Sequence, residues 1–99
     1  MTTTERITRT VFEAIEELNH QLPTDRRLAK SFSTTLFDSS GFLDSLELVN
    51  LIVITEQNVE DEFGVAIVLA DERAISQKNS PFKTVETLTN YISILLDTV

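Results

Sequence analysis

Apolar residues recur at steps of three and four through much of this chain, the spacing of one helix face. Ile7, Val11, Ala14 or Ile15, Leu18 and Leu22 make the first such stripe. It predicts a helix over about 3–21, with Thr2 and Glu5 as a capping box and Pro23 setting the stop near Leu22. A second stripe, Leu48, Ile52, Thr55, Val59 and Phe63, predicts a longer helix over about 45–62. Asp44 with Glu47 three residues on fits its N-terminal cap, and Gly64 can take the left-handed conformation that closes such a helix. Val85, Leu88, Ile92, Leu95 and Val99 predict a last helix over about 84–97, capped by Thr84. A short helix is placed at 71–77, around Asp71-Glu72-Arg73-Ala74-Ile75. The run Val65-Ala66-Ile67-Val68-Leu69 has strand propensity but no partner to pair with, so a strand is rejected there.

Four helices of unequal length, one of them very short, amount to a small all-α four-helix bundle with a long first loop. That loop, Pro23 to Leu43, is about twenty residues, more than compact domains usually allow. It carries Leu28, Phe32, Leu36, Phe37 and Phe42, so it is expected to pack over the bundle; Ser39-Ser40-Gly41 marks a turn in it. The 99 residues, 41% of them apolar, suffice for one domain over 1–99 with a real core. There is no cysteine and a single histidine, His20, which leaves no thiolate chemistry and almost no material for a metal site or a catalytic dyad. The polar start, MTTTERI, is unlike a signal peptide, and the longest wholly apolar run, Leu51 to Ile54, is far short of a membrane span. A cytoplasmic, soluble protein is expected.

The formal charge of −8 argues against nucleic acid, whose phosphates need clustered Lys and Arg. Its distribution says more. No basic residue lies between Ser31 and Glu72, against nine acids. One strongly anionic face is expected, and such faces steer basic partners. Glu60, Asp61 and Glu62 crowd the C-terminal end of the second helix, where the dipole disfavours negative charge by about 0.3–1 kcal/mol each. Glu47 and Glu56 add more, with no base within the helix. Local stability does not ask for this arrangement; a docking surface for basic partners does, although a solvated acidic face kept for solubility is a common alternative.

Two further features of that helix bear on chemistry. Ser45 stands in its first turn, where unpaired backbone N–H groups and the dipole favour an anion, so its hydroxyl is a sensible attachment point for a phosphate-linked group. The plain reading is an ordinary Asp-Ser helix start. Leu46, Val49 and Val53, one, four and eight residues after Ser45, form a second apolar strip beside the core stripe. The first half of the helix is then apolar almost all round, and some of it must face solvent or a partner. An EF-hand reading starting at Asp38 fails, with Leu43 where Gly is needed and Val49 where Glu is needed. An enzyme reading fails because Ser45 has no general base except distant His20.

The segment Gly41-Phe42-Leu43-Asp44-Ser45-Leu46-Glu47-Leu48-Val49, followed by Glu62-Phe63-Gly64-Val65-Ala66-Ile67, resembles the acyl carrier proteins and the related peptidyl carrier domains. Phe82-Lys83-Thr84-Val85, leading to Asn90-Tyr91-Ile92, is similar to their last-helix pattern. The resemblance spans nearly the whole chain. It implies that Ser45 receives 4′-phosphopantetheine from coenzyme A through a separate magnesium-dependent phosphopantetheinyl transferase. The arm's thiol would carry an acyl or aminoacyl group as a thioester. Asp44, Leu46, Glu47, Val49 and Val53, with Glu56, Glu60 and Asp61 further along, would meet the basic patches of loading and processing enzymes. The carrier itself would be a monomer that catalyses nothing. It raises the effective concentration of a tethered substrate; in fatty-acyl members the chain also tucks between the helices.

Two departures stand out. Ser45 to Phe63 is about one helical turn longer than the family's usual spacing, and a whole turn nearly preserves the face. The 64–84 segment is also long. A specialised free-standing acyl carrier is therefore expected, rather than the housekeeping one of fatty-acid synthesis. An aminoacyl or peptidyl carrier is the alternative within the class, and an unmodified acidic helical adaptor the alternative outside it.

Overall fold

Thr2 opens the first helix as its spacing to Glu5 implies: the Thr2 hydroxyl accepts the Glu5 N–H at 3.1 Å, and the Glu5 carboxylate accepts the Thr2 N–H at 3.3 Å. The computed structural model that shows this describes residues 2–37, 43–69 and 81–97. Helix α1 runs Thr3–Asn19, and the whole expected stripe from Ile7 to Leu18 is buried. It ends slightly early, just where Asn19 turns its side chain to the loop. The amide donates to the Leu28 carbonyl at 2.9 Å and accepts the Leu28 N–H at 2.8 Å, pairing as a strand backbone would. Leu22 is buried, but beyond the helix.

Helix α2 is Ser45–Phe63, with Asp44 as N-cap and Gly64 at φ 69° as the left-handed stop. Glycine has no Cβ to strain at that angle. Leu43 and Leu48 occupy the two positions of a hydrophobic staple, and both are buried in the core. Helix α3 is Val85–Asp97. Its cap is reciprocal without a carboxylate: the Thr87 N–H donates to the Thr84 hydroxyl at 3.2 Å, and the Thr84 N–H to the Thr87 hydroxyl at 3.0 Å.

The expected loop does pack over the helices. A short 3-10 turn, Thr24–Arg26, begins it. Leu28 and Leu36 are buried and Phe37 is partly so, while Phe32 is 44% exposed. Phe42 lies outside the described residues. Further on, Thr35 and Thr84 form an antiparallel bridge, and the carbonyls of Thr34 and Phe32 accept the N–H groups of Val85 and Glu86 at 3.1 Å each. The loop thus supplies acceptors that the first turn of α3 lacks.

α1 packs against both other helices, more extensively against α2. The core joins their inner faces to Phe82, Leu43, Ile67 and Leu69 from the connections. Each helix buries one threonine, and each hydroxyl finds a carbonyl in its own helix: Thr10 to Ile7 at 2.6 Å, Thr55 to Leu51 at 2.7 Å, Thr89 to Val85 at 2.9 Å. That removes the penalty of burying an unpaired hydroxyl. The result is a small helical domain. Of the four helices expected, three stand among the described residues; the short one placed at 71–77 lies outside them. No strand occurs among the described residues, and none of their helices is long and apolar enough to cross a membrane.

Candidate functional site

The site is built on the first turn of α2. Asp44 accepts the Glu47 N–H at 2.8 Å, and Glu47 reaches back to accept the Asp44 N–H at 3.0 Å. This box fixes where the helix starts and so where Ser45 stands. Ser45 is the first helical residue and is exposed. Its hydroxyl hydrogen-bonds no described residue, and no described residue accepts the N–H groups of Ser45 or Leu46. A reachable hydroxyl therefore sits beside unpaired donors at the positive end of a 19-residue helix.

From Ser45 the strip Leu46, Val49 and Val53 runs along α2, and all three are exposed, at 71%, 47% and 56%. Leu51 and Ile54, the ends of the longest apolar run, go the other way: Leu51 is buried and Ile54 packs against the core. Val68, 69% exposed, is tethered to the same helix, since the next residue, Leu69, donates its N–H to the Glu56 carboxylate at 2.6 Å.

The acids of α2 divide into two sets. Glu47 is gripped by Arg26 of the 3-10 turn, with Nη1 and Nη2 each 2.7 Å from one carboxylate oxygen, and its side chain is only 15% exposed. Those bonds from Arg26, then the Asp44 N–H, hold the Glu47 carboxyl below its ordinary range, and the same pairing raises Arg26. Glu62 is held from α1: Arg6 Nε donates at 2.8 Å and Arg9 Nη2 at 2.7 Å, which lowers its pKa as well. Arg6 also donates to the Glu62 carbonyl at 3.0 Å and stacks over the Phe63 ring at 4.4 Å. One sequence expectation is corrected here. The negative end of α2 does serve local structure, because two arginines absent from that helix arrive from α1 to neutralise Glu62 and cap a carbonyl. Glu56 is also engaged inside the molecule, by Leu69. Asp44, Glu60 and Asp61 remain exposed, and no described residue forms an ion pair with Glu60 or Asp61.

No family model, curated protein or solved structure matches the chain.

Ser45 lines neither of two cavities formed by described residues. A groove of about 660 Å³ follows the outer face of α1 past Lys30 and past Phe12 and Phe32, the two phenylalanine rings meeting at a tilt, 6.3 Å between centroids. A smaller polar hollow of about 150 Å³ lies between Thr10, Glu13, Asn58, Asp61 and Glu62. Sequence reasoning did not find the α1 groove, because Phe12 and Phe32 belong to different elements. It also missed Arg6, Arg9 and Arg26 as partners of the helix acids. The only signal was that bases absent from 31–72 are concentrated just before it.

Proposed function

We propose that this protein is a carrier of acyl-carrier type, with 4′-phosphopantetheine esterified to Ser45. The observation that carries the reading is the exposed, unbonded Ser45 hydroxyl at the start of α2, with the apolar strip beginning at the next residue. The residues fit the group. A phosphodiester on Ser45 Oγ would face the free N–H groups of the first turn, and the adjacent Asp44 and Leu46 are exposed as well. In the transfer, Ser45 Oγ bonds the pantetheine phosphate of coenzyme A, that phosphate's bond to the adenosine bisphosphate breaks, and the serine proton leaves with the base of a separate enzyme. When attached, the arm supplies a thiol for a thioester cargo. The chain's own residues do the rest: Asp44 and Glu47 fix the helix start, and Leu46, Val49 and Val53 offer partners an apolar face.

Intact mass after incubation with coenzyme A, magnesium and a broad-specificity transferase tests this directly. The expected gain is one phosphopantetheine, absent in Ser45→Ala. An unchanged mass, with Ser45→Ala behaving as the parent, would instead favour an unmodified acidic adaptor that uses the same strip.

A further inference from the structure

Ser45 lies between the two residues of its capping box, and the box is itself held from elsewhere in the fold. Glu47 Oε1 accepts both the Asp44 N–H, at 3.0 Å, and Arg26 Nη2, at 2.7 Å, while Oε2 accepts Arg26 Nη1 at 2.7 Å. The base of that fork is anchored. Arg26 ends the 3-10 turn Thr24–Arg26, and its N–H donates to the Pro23 carbonyl at 2.9 Å. Before the turn Leu22 is buried; after it Leu28 is buried, with its N–H and carbonyl both paired to the Asn19 side chain. Arg27 Nε adds a bond to the Asn19 carbonyl at 3.1 Å. The end of α1 thus carries a short stapled loop that presents one guanidinium to the start of α2, 21 residues further on.

Chain connectivity alone does not place that start. The connection into α2 is long, and a helix end whose Asp44, Ser45 and Leu46 are all exposed frays unless something holds it. A Glu47 carboxylate bonded only to one exposed N–H is free to turn into water; gripped on both oxygens by a planar fork, it keeps one orientation. Helix stability does not ask for a cation here, because the dipole disfavours positive charge at an N-terminus. Global stability gains little either, since the Arg26 side chain is 39% exposed. What the fork sets is where the first turn of α2 stands.

We propose that Arg26 is a positioning residue for Ser45: by locking Glu47, and through it the Asp44 N–H, it holds the Ser45 hydroxyl in one place and direction for attack on the phosphate of coenzyme A. This rests on the carrier reading of Ser45. Arg26→Met and Arg26→Lys, each checked for native helicity by circular dichroism, test it. In the unmodified methionine variant the amide heteronuclear NOE of Ser45 and Leu46 should fall, while that of Val11 in α1 stays as it was. In single-turnover transfer, with transferase and coenzyme A in excess, the maximal rate should fall about tenfold, and the transferase concentration giving half of it should change by less than about twofold, as lost orientation without lost docking requires. Lysine keeps the charge without the fork, so its rate should lie nearer the methionine variant than the parent. A purely stabilising role makes the rate follow Tm, so cooling far below Tm would return the methionine variant to the parent rate. That return overturns the proposal, as does a Ser45 turn equally ordered in both proteins, or a lysine variant as fast as the parent. A parent protein that takes no phosphopantetheine sinks the carrier reading instead, and the NOE comparison still decides whether Arg26 orders the turn.

Discussion

Asp44 has two separable roles, a cap and a charge, and replacing it in two ways tells them apart. Its carboxylate accepts the Glu47 N–H at 2.8 Å, and the Glu47 side chain returns the bond to the Asp44 N–H at 3.0 Å. Asparagine keeps an acceptor oxygen at that position and ranks with aspartate as a cap, so Asp44→Asn should alter stability by only a few tenths of a kcal/mol. Alanine keeps neither charge nor acceptor. Asp44→Ala leaves the Glu47 N–H unpaired in the first turn and should cost about 1 kcal/mol, within the usual 0.5–2 for a lost cap. In a domain this size that lowers Tm by about 4–8 °C. Circular dichroism melts of the three proteins measure it. If the charge also guides a basic transferase, both variants should slow modification of Ser45 alike, although only alanine lowers Tm. Equal melting of the alanine and asparagine forms would refute the cap argument, and a rate that follows Tm instead of charge would refute the docking argument. Charge reversal at Glu47 is a poorer probe, since Glu47→Lys sets a cation against Arg26 and dismantles the box.

The exposed strip and the core stripe of α2 should respond in opposite ways. Val49→Thr or Val53→Thr should shift stability by no more than about 0.5 kcal/mol, while Leu48→Ala should cost about 2–5 kcal/mol; urea melts check both, and a large loss at Val53 would mean the strip is packed. Acid should weaken the fold through Glu47 and Glu62. Both carboxyls are lowered in the folded state, by the Arg26 bonds and by the Arg6 and Arg9 bonds respectively. The unfolded chain therefore binds more protons on acidification. Their contribution is full above the ordinary glutamate value of about 4.3 and is lost as pH falls through the lowered folded values. Urea midpoints should hold from pH 7 to about 5 and drop below about 4.3, less steeply in Arg6→Met/Arg9→Met; a midpoint unchanged into strong acid would contradict this.

What sequence could reveal here was local. The caps at Thr2, Asp44 and Thr84 and the stop at Gly64 involve residues within a few positions of each other, and periodicity placed most of the core stripes, with Phe63 and Leu95 only partly buried and Val99 outside the described residues. Contacts across the fold were not legible. Glu62 meets Arg6 and Arg9 from 56 and 53 residues away, and Glu47 meets Arg26 across 21. Nothing in a hydrophobic period encodes which surface charges will face each other. The 65–69 run is instructive in a different way. Its burial does alternate, with Ile67 and Leu69 inside and Ala66 and Val68 outside, as strand propensity suggests. Yet the Leu69 N–H goes to a helix carboxylate, so the alternation arises without a sheet.

The strip itself follows from the geometry of α2. The buried positions Leu48, Leu51, Ile52, Thr55 and Val59 already fill the face toward α1. Positions 46, 49 and 53 lie on the far side, where no rotation of the helix could bury them without exposing the core. Burying a Leu or Val side chain is worth about 1.5–3 kcal/mol, so three left outside forgo stabilisation that this domain cannot recover alone. Polar residues there would fold as well and dissolve better. Apolar side chains at those positions make physical sense if something else covers them. Among the acids of α2 and its cap, Asp44, Glu60 and Asp61 are the exposed ones.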